Sequence, residues 1–150
     1  MIVRSKANEM LESLVQANSS SYYWIGLSTT TPTATGGNFT EPPIPSGAQD
    51  DEGQTITVNE YQRVNLKEYM GAATNAVIEN ESIIFFNEAE HYGWGTITHF
   101  GIFTSKTGGT PIFWGALSAP ISVPQNYIPI FRANRLKIGL DQNPANPVTP

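Results

Sequence analysis

The fold is decided by Trp94-Gly-Thr-Ile-Thr-His-Phe-Gly-Ile-Phe103, which is followed by Thr107-Gly-Gly-Thr-Pro111 and then by Ile112-Phe-Trp-Gly-Ala-Leu117. Two runs rich in aromatic and β-branched residues are separated by a glycine-containing turn. This pattern predicts a strand–turn–strand unit. The unit identifies the core of the fold and carries no evident chemistry.

The first of these runs is apolar on both faces at its centre. Simple alternation places Ile97, Gly101 and Phe103 on one side, with Phe100 and Ile102 on the other. A strand of this kind is buried between two layers, as in a sandwich or a closed barrel.

The pattern of the rest of the chain predicts a mainly β domain of about eight short strands, which form an antiparallel β-sandwich or flattened barrel. The candidate strands are Tyr22–Ser28, Tyr61–Leu66, Asn75–Glu79, Ser82–Phe86, Thr96–Thr104, Pro111–Leu117, Ala119–Val123 and Arg135–Leu140. We expect one domain over residues 1–140, followed by an extended tail over 141–150.

An amphipathic helix is predicted over residues 5–17. Its apolar residues fall at helical spacing and form a single stripe: Ala7, Met10, Leu11, Leu14 and Val15. A helix this short must bury its stripe to be stable. The stripe either packs on the sandwich or a sheet edge of its own chain, or docks on a neighbouring subunit through Met10, Leu11 and Leu14.

Two segments lack the pattern of regular structure. Residues 29–60 are rich in proline and glycine and predict a long loop, with a possible short strand at Thr55–Val58. The tail over 141–150 is polar and proline-rich, and Val148 is its one large hydrophobic residue. Such a tail is ordered only against another surface, so Val148 is a candidate partner contact.

Composition excludes several classes of function. The 150 residues carry a formal charge of −5, and 14% of them are charged. An acidic chain without a basic cluster argues against nucleic acid as a partner. No apolar run reaches the length of a membrane helix. The absence of cysteine excludes disulfides, and the lack of a secretory signal at Met1 indicates synthesis in a cytoplasm.

The sequence predicts no catalytic, cofactor or metal site. The two histidines, His91 and His99, could join Glu88 and Glu90 in a metal site. However, Glu90 and His91 are adjacent and would point to opposite faces of a strand. No nucleophile elbow or phosphate-binding loop occurs. We therefore predict a protein that is not an enzyme.

Five motifs resemble, in their order, small virion proteins of tailed bacteriophages that are usually labelled tail fibre or tail proteins. The motifs are Ile25-Gly-Leu-Ser-Thr-Thr-Thr-Pro-Thr33, Thr40-Glu-Pro42, Tyr61-Gln-Arg-Val64, Trp94 to Phe103, and Gly115-Ala-Leu117. They extend over nearly the whole chain. This chain departs from the family by an insertion, residues 43–60, between the Glu-Pro and Tyr-x-Arg-Val motifs.

The resemblance implies a virion structural protein, assembled in the cytoplasm of the host bacterium and bound to other virion proteins. Its partners would be tail, baseplate, neck or major capsid proteins, and tail or baseplate is favoured over decoration of the capsid. Because phage lattices are symmetric, we expect a homo-oligomer, a trimer or a larger ring.

A carbohydrate-binding module of a phage fibre is the alternative. Such a module needs exposed aromatic rings beside polar groups, and Tyr92, Trp94 and Tyr127 are the candidates because they flank turns. Exposure of two of these rings on one face would favour this alternative.

Overall fold

The structure is a computed structural model that describes residues 4–15, 23–140 and 148–150. Within these residues the chain forms one helix and eight strands in antiparallel sheets, so the predicted mainly β fold is confirmed. The elements are α1 (Arg4–Val15), β1 (Trp24–Ser28), β2 (Val64–Asn65), β3 (Val77–Glu79), β4 (Ile84–Phe85), β5 (Gly95–Phe103), β6 (Phe113–Val123), β7 (Ile130–Phe131) and β8 (Lys137–Gly139). No helix in these ranges is long and apolar enough to cross a membrane.

The main sheet has the strand order β2-β1-β5-β6 and is built on the predicted strand–turn–strand unit. β6 is one continuous strand, although the sequence predicted two strands over this region. Pro120 lies within it, which is tolerated because β6 is at the edge of the sheet.

A β-bulge interrupts the pairing of β5 with β6 between Ile97 and His99. The partner of Ile97 is Ile121 and the partner of His99 is Ala116, so β6 carries three more residues than β5 at this point. Ile97 lies on the core side, where it lines a small cavity together with Leu27 and Phe131. Simple alternation had placed Ile97 on the side of Phe103, and that assignment was wrong because the strand pairing is irregular between Ile97 and His99.

The core lies between the main sheet and two small sheets, β3–β8 and β4–β7. The Phe100 ring of β5 contacts the Phe131 ring of β7, with centroids 6.2 Å apart, and Phe86 contacts Phe131 at the same distance. The sequence predicted β3, β4 and β8 but missed β7, because Pro129 precedes it and its pairing with β4 is not local.

The opposite face of the main sheet is covered by the long loop over residues 29–60. This loop contains no strand among its described residues, and Thr55 makes only an isolated bridge to Gln49 where a short strand was expected. The Phe39 ring packs edge-on against Phe103 of β5, with centroids 5.0 Å apart. The part of the loop around Phe39 is therefore packed on the sheet.

The helix α1 docks on the turn that precedes β3 in its own chain. Leu11 is completely buried. Two polar side chains of the helix accept hydrogen bonds from the backbone of that turn: Asn8 Oδ1 from Ala76 N–H (2.7 Å) and Glu12 Oε1 from Ala73 N–H (2.9 Å). Among the described residues, the structure thus shows intramolecular packing of the helix.

Candidate functional site

Three of the sequence motifs, those that contain Leu27, Glu41 and Tyr61, converge on a polar network at the loop-covered face of the main sheet. Glu41 of the Glu-Pro motif accepts hydrogen bonds from the Tyr61 hydroxyl (2.7 Å) and from Arg63 Nε (2.7 Å) and Nη2 (2.9 Å). Tyr61 and Arg63 belong to the Tyr-x-Arg-Val motif at the start of β2. Residues 43–60 separate these motifs in sequence but not in space.

Arg63 is the centre of this network and is only 6% exposed. Its Nη1 donates to the carbonyl oxygens of Ser105 and Gly108, both at 2.9 Å, in the turn between β5 and β6. Its guanidinium also lies 3.4 Å above the centroid of the Phe103 ring. Four of its five N–H donors are thereby used within the chain, so Arg63 holds the loop, β2 and the β5–β6 turn together.

Tyr61 acts in the network as a fixed donor and acceptor. Its hydroxyl donates to Glu41 and accepts the backbone N–H of Leu27 (2.8 Å). Burial, together with the charge of Glu41, raises the pKa of Tyr61 well above its usual value. The hydroxyl therefore stays protonated at neutral pH, and the network contains no activated nucleophile.

A surface pocket of about 480 Å³ lies beside this network. Its lining includes Val58, Gln62 and Lys106 in addition to Glu41 and Arg63. Sequence reasoning did not single out this pocket, although the order of the motifs was an available signal for the convergence. Because Arg63 hydrogen-bonds to groups of its own chain, Lys106 is the cationic side chain of the pocket lining that is available to a ligand.

A second polar cluster joins the end of the long loop to the segment before β5. Glu60 Oε1 lies 2.6 Å from His91 Nδ1, and the Glu60 carboxylate also accepts the backbone N–H of His91 at 3.0 and 3.2 Å. Asp51 Oδ1 lies 4.0 Å from His91 Nε2. The ligand atoms of Glu60, Glu90 and His91 all lie within 4.8 Å of one another.

The geometry of this cluster differs from the expectation in two respects. Residues 86–90 are not in a strand, so the argument that Glu90 and His91 point to opposite faces does not apply. The third member, Glu60, was not considered, because the distance along the chain from Glu60 to His91 conceals their contact. The hydrogen bond that His91 makes to the Glu60 carboxylate is the main cause that raises the pKa of His91, and burial opposes it.

His99, the other histidine that was weighed as a possible metal ligand, lies elsewhere. It is a buried residue of β5, where its Nδ1 is 2.8 Å from Thr98 Oγ1 and its ring contacts Trp114. Burial lowers the pKa of His99. The structure therefore does not bring His99 together with His91.

The three candidate glycan-binding rings are not exposed together. Trp94 is 2% exposed and packs edge-on against Tyr61, and Tyr92 is 7% exposed with its hydroxyl bonded to Asn59 Oδ1 (2.9 Å). Tyr127 is 41% exposed. The exposure of two rings that would favour a glycan platform is absent from these three residues, and the platform stays a prediction.

The candidate partner-binding residues also have different environments. Met10 is exposed, whereas Leu11 is buried against its own chain. The side chain of Leu14 lies outside the described residues. Val148 is buried beside β6, where its N–H donates to the Ala116 carbonyl (2.7 Å) and its carbonyl accepts the Ser118 N–H (2.6 Å). Binding of a partner by these residues stays a prediction.

The outward face of the small β4–β7 sheet carries exposed apolar side chains that the sequence analysis did not identify. Phe85 of β4 pairs with Ile130 of β7, and both lie on this face. Ile83 comes one residue before β4 and Ile128 two residues before β7, and continuing the alternation of each strand places both on the same side. Phe85 is 56% exposed, and Ile83 and Ile128 are exposed as well. We call these four residues the β4–β7 apolar face.

Comparison with known proteins assigns the chain to a family. A search of curated protein sequences gave no match. The family model described as "Podophage GP4 fiber I protein gp80" matches residues 3–139, nearly the whole chain. This agrees with the resemblance to phage tail fibre proteins that the five motifs carry. The chain therefore belongs to the Podophage GP4 fiber I protein gp80 family, a family of bacteriophage fibre proteins.

Proposed function

We propose that the protein is a non-enzymatic structural subunit of the phage particle, attached through protein–protein contacts to tail, baseplate or neck proteins. The family supports a virion role of the fibre type. The observation that carries the proposal within this chain is the β4–β7 apolar face, because it presents large apolar side chains to solvent from one small sheet.

The physical reason is the cost of leaving such a surface in water. Burial of apolar area contributes roughly 25 cal/mol per Å², and contiguous exposed apolar patches on small proteins mark interaction sites. Among the described aromatic residues Phe85 is the most exposed, at 56%, ahead of Tyr127 (41%) and Trp114 (36%), whereas Phe86, Phe100 and Phe131 are buried in the core. Phe85 is therefore a candidate anchor for a neighbouring virion protein.

The same face is suited to repeated contacts in a symmetric assembly. A homo-oligomer, either a trimer or a larger ring, would place several copies of the β4–β7 apolar face around one axis. The second surface that supports an assembly is the exposed Met10 on α1.

The experiment is complementation of a phage that lacks this protein with variants supplied in trans. Phe85→Asp should give a folded protein that is depleted from purified particles, because a charge at an interface core opposes docking. Val58→Asp is the matched control, since Val58 is 70% exposed and lies away from the β4–β7 apolar face. Circular dichroism and thermal unfolding would check that both variants fold.

Equal incorporation of the two variants would refute the role of this face. Absence of the wild-type protein from particles, combined with its retention on host cell-wall glycans, would refute the structural proposal and support the carbohydrate-binding alternative instead. Light scattering of the purified protein would distinguish a trimer or ring from a monomer.

A further inference from the structure

We propose that Glu60, Glu90 and His91 bind a divalent cation of the zinc class and so fasten the end of the long loop to the segment before β5. This inference does not depend on the virion role. It rests on the convergence of one imidazole and two carboxylates, from two separate segments, within 4.8 Å of one another.

The ligand atoms lie near the spacing that a metal ion requires, although Glu60 Oε1 and His91 Nδ1, now 2.6 Å apart, would have to separate to admit the ion. Ligand atoms around a tetrahedral zinc ion, each about 2.1 Å from the metal, lie roughly 3.4 Å apart. Glu60 and His91 are already in contact and are largely buried, with side-chain exposures of 13% for Glu60 and 19% for His91. Glu90 is exposed, so its side chain can rotate to close the remaining gap.

The cation would take the place of the proton between Glu60 Oε1 and His91 Nδ1, which are now 2.6 Å apart. In neutral His91 that proton would move to Nε2, leaving Nδ1 free to bind the metal. The resulting Nε2–H would face Asp51 Oδ1, which lies 4.0 Å away. A carboxylate that accepts the second ring N–H is the usual partner of a metal-bound histidine.

Charge and ligand chemistry select the class of metal. Glu60, Glu90 and Asp51 surround a single imidazole, and the ion pairs described for this cluster involve only His91 as the basic group. A divalent cation would offset this excess of negative charge. Because imidazole suits zinc, nickel and copper whereas magnesium and calcium prefer oxygen ligands, His91 distinguishes the cluster from ordinary surface carboxylates.

The test is calorimetric titration of tag-free, chelator-treated full-length protein with zinc chloride, with magnesium chloride as the comparison cation. We expect one zinc per chain, a melting temperature that rises with zinc concentration, and no comparable effect of magnesium. Cobalt chloride would report the ligand set through its visible absorption spectrum. The melting temperature also gives a readout that does not require any biological activity.

Two substitutions locate the site, and a third serves as a control. His91→Gln should abolish zinc binding, and Asp51→Asn should weaken it by roughly tenfold, as is usual for the outer partner of a metal-bound histidine. Glu88→Gln is the matched control, because Glu88 is exposed in the same segment, carries the same charge and lies outside the cluster. This variant should bind zinc as the wild type does.

Three results would overturn the proposal: no zinc binding by the wild-type protein, equal binding by the His91→Gln variant, or equal responses to magnesium and zinc. Glu90→Gln provides a second variant at an exposed position if His91→Gln does not fold. Loss of zinc binding by Glu90→Gln would support the site, and unchanged affinity would overturn the assignment of its ligands. Incorporation into particles is a separate measurement, so failure here is distinguishable from failure of the virion role.

Discussion

Replacement of Arg63 by alanine should be among the most destabilising single changes in the main sheet. The substitution removes a buried guanidinium that pairs with Glu41 through two hydrogen bonds and caps two carbonyl groups of the β5–β6 turn. It also removes the cation–π contact with Phe103. Glu41, with a side chain 29% exposed, would be left without its charged partner.

The expected loss is about 3–5 kcal/mol in the free energy of unfolding. Breaking a buried ion pair by removing one partner costs roughly this amount, because the remaining charge stays desolvated. The cation–π contact contributes about 0.5–2 kcal/mol, and the partial exposure of Glu41 offsets some of the total by admitting water. Since small domains have about 5–15 kcal/mol of stability in all, the variant should unfold at a much lower urea concentration.

The assay is equilibrium unfolding in urea, followed by tryptophan fluorescence, of a double-mutant cycle. The cycle compares Arg63→Ala, Glu41→Gln and the double variant, and it should give a coupling energy of at least about 1 kcal/mol. Arg135→Ala is the matched control, because Arg135 is exposed and its substitution should change stability by no more than about 0.5 kcal/mol.

A loss of less than about 1 kcal/mol for Arg63→Ala would refute this reasoning. It would mean that the Glu41–Arg63 pair behaves as an ordinary surface ion pair. Strict additivity in the double-mutant cycle would also contradict the proposed coupling between the two motifs.

Two further predictions concern buried polar side chains. Asn80 is fully buried; its side-chain amide donates to the carbonyls of Ser82 and Arg132, and its Oδ1 accepts the N–H of Leu136. Asn80→Ala should therefore lower the free energy of unfolding by about 3 kcal/mol in urea unfolding, because it leaves several buried groups unsatisfied. A loss below about 1 kcal/mol would contradict this. Burial lowers the pKa of His99. As the pH falls below about 6.5, His99 therefore binds more protons in the unfolded chain than in the folded chain, and the free energy of unfolding should decrease. Proton titration followed by NMR on metal-free protein should place His99 below that value, and a midpoint at or above it would contradict the assignment.

The sequence predicts the parts of this fold that are locally encoded. The helical spacing of Ala7, Met10, Leu11, Leu14 and Val15 indicates α1. The two apolar runs on either side of Thr107 indicate β5 and β6. Each of these signals arises from the periodicity of one segment and its own turn residues. The structure agrees with them to within a few residues at the element boundaries.

What the sequence does not predict depends on contacts between distant segments. β7 exists because Ile130 and Phe131 find β4 as a partner, and no local pattern indicates that pairing. The bulge at His99 depends on the register with β6. The contact of Glu60 with His91 likewise requires that the long loop return to the segment before β5. Such contacts are set by tertiary packing and leave no periodic signal.

The segment over residues 43–60, which the resemblance presents as an insertion between the Glu-Pro and Tyr-x-Arg-Val motifs, is compatible with the fold because both of its ends are anchored to the same place. Gly26 and Gly101 are paired across β1 and β5. A Cβ atom at Gly26 would lie 3.0 Å from Glu41 Oε1, and one at Gly101 would lie 2.6 Å from the Phe39 ring. These two glycines therefore allow the loop to approach the sheet before the insertion begins.

After the insertion, Tyr61 and Arg63 return to Glu41. Because the entropy of closing a loop grows only slowly with its length, residues 43–60 extend the loop at modest cost while its two ends remain fixed. The inserted segment contains both Asp51 and Glu60. The proposed metal site therefore uses residues of this segment, and it would fasten the segment at the end where the chain returns to Tyr61 and Arg63.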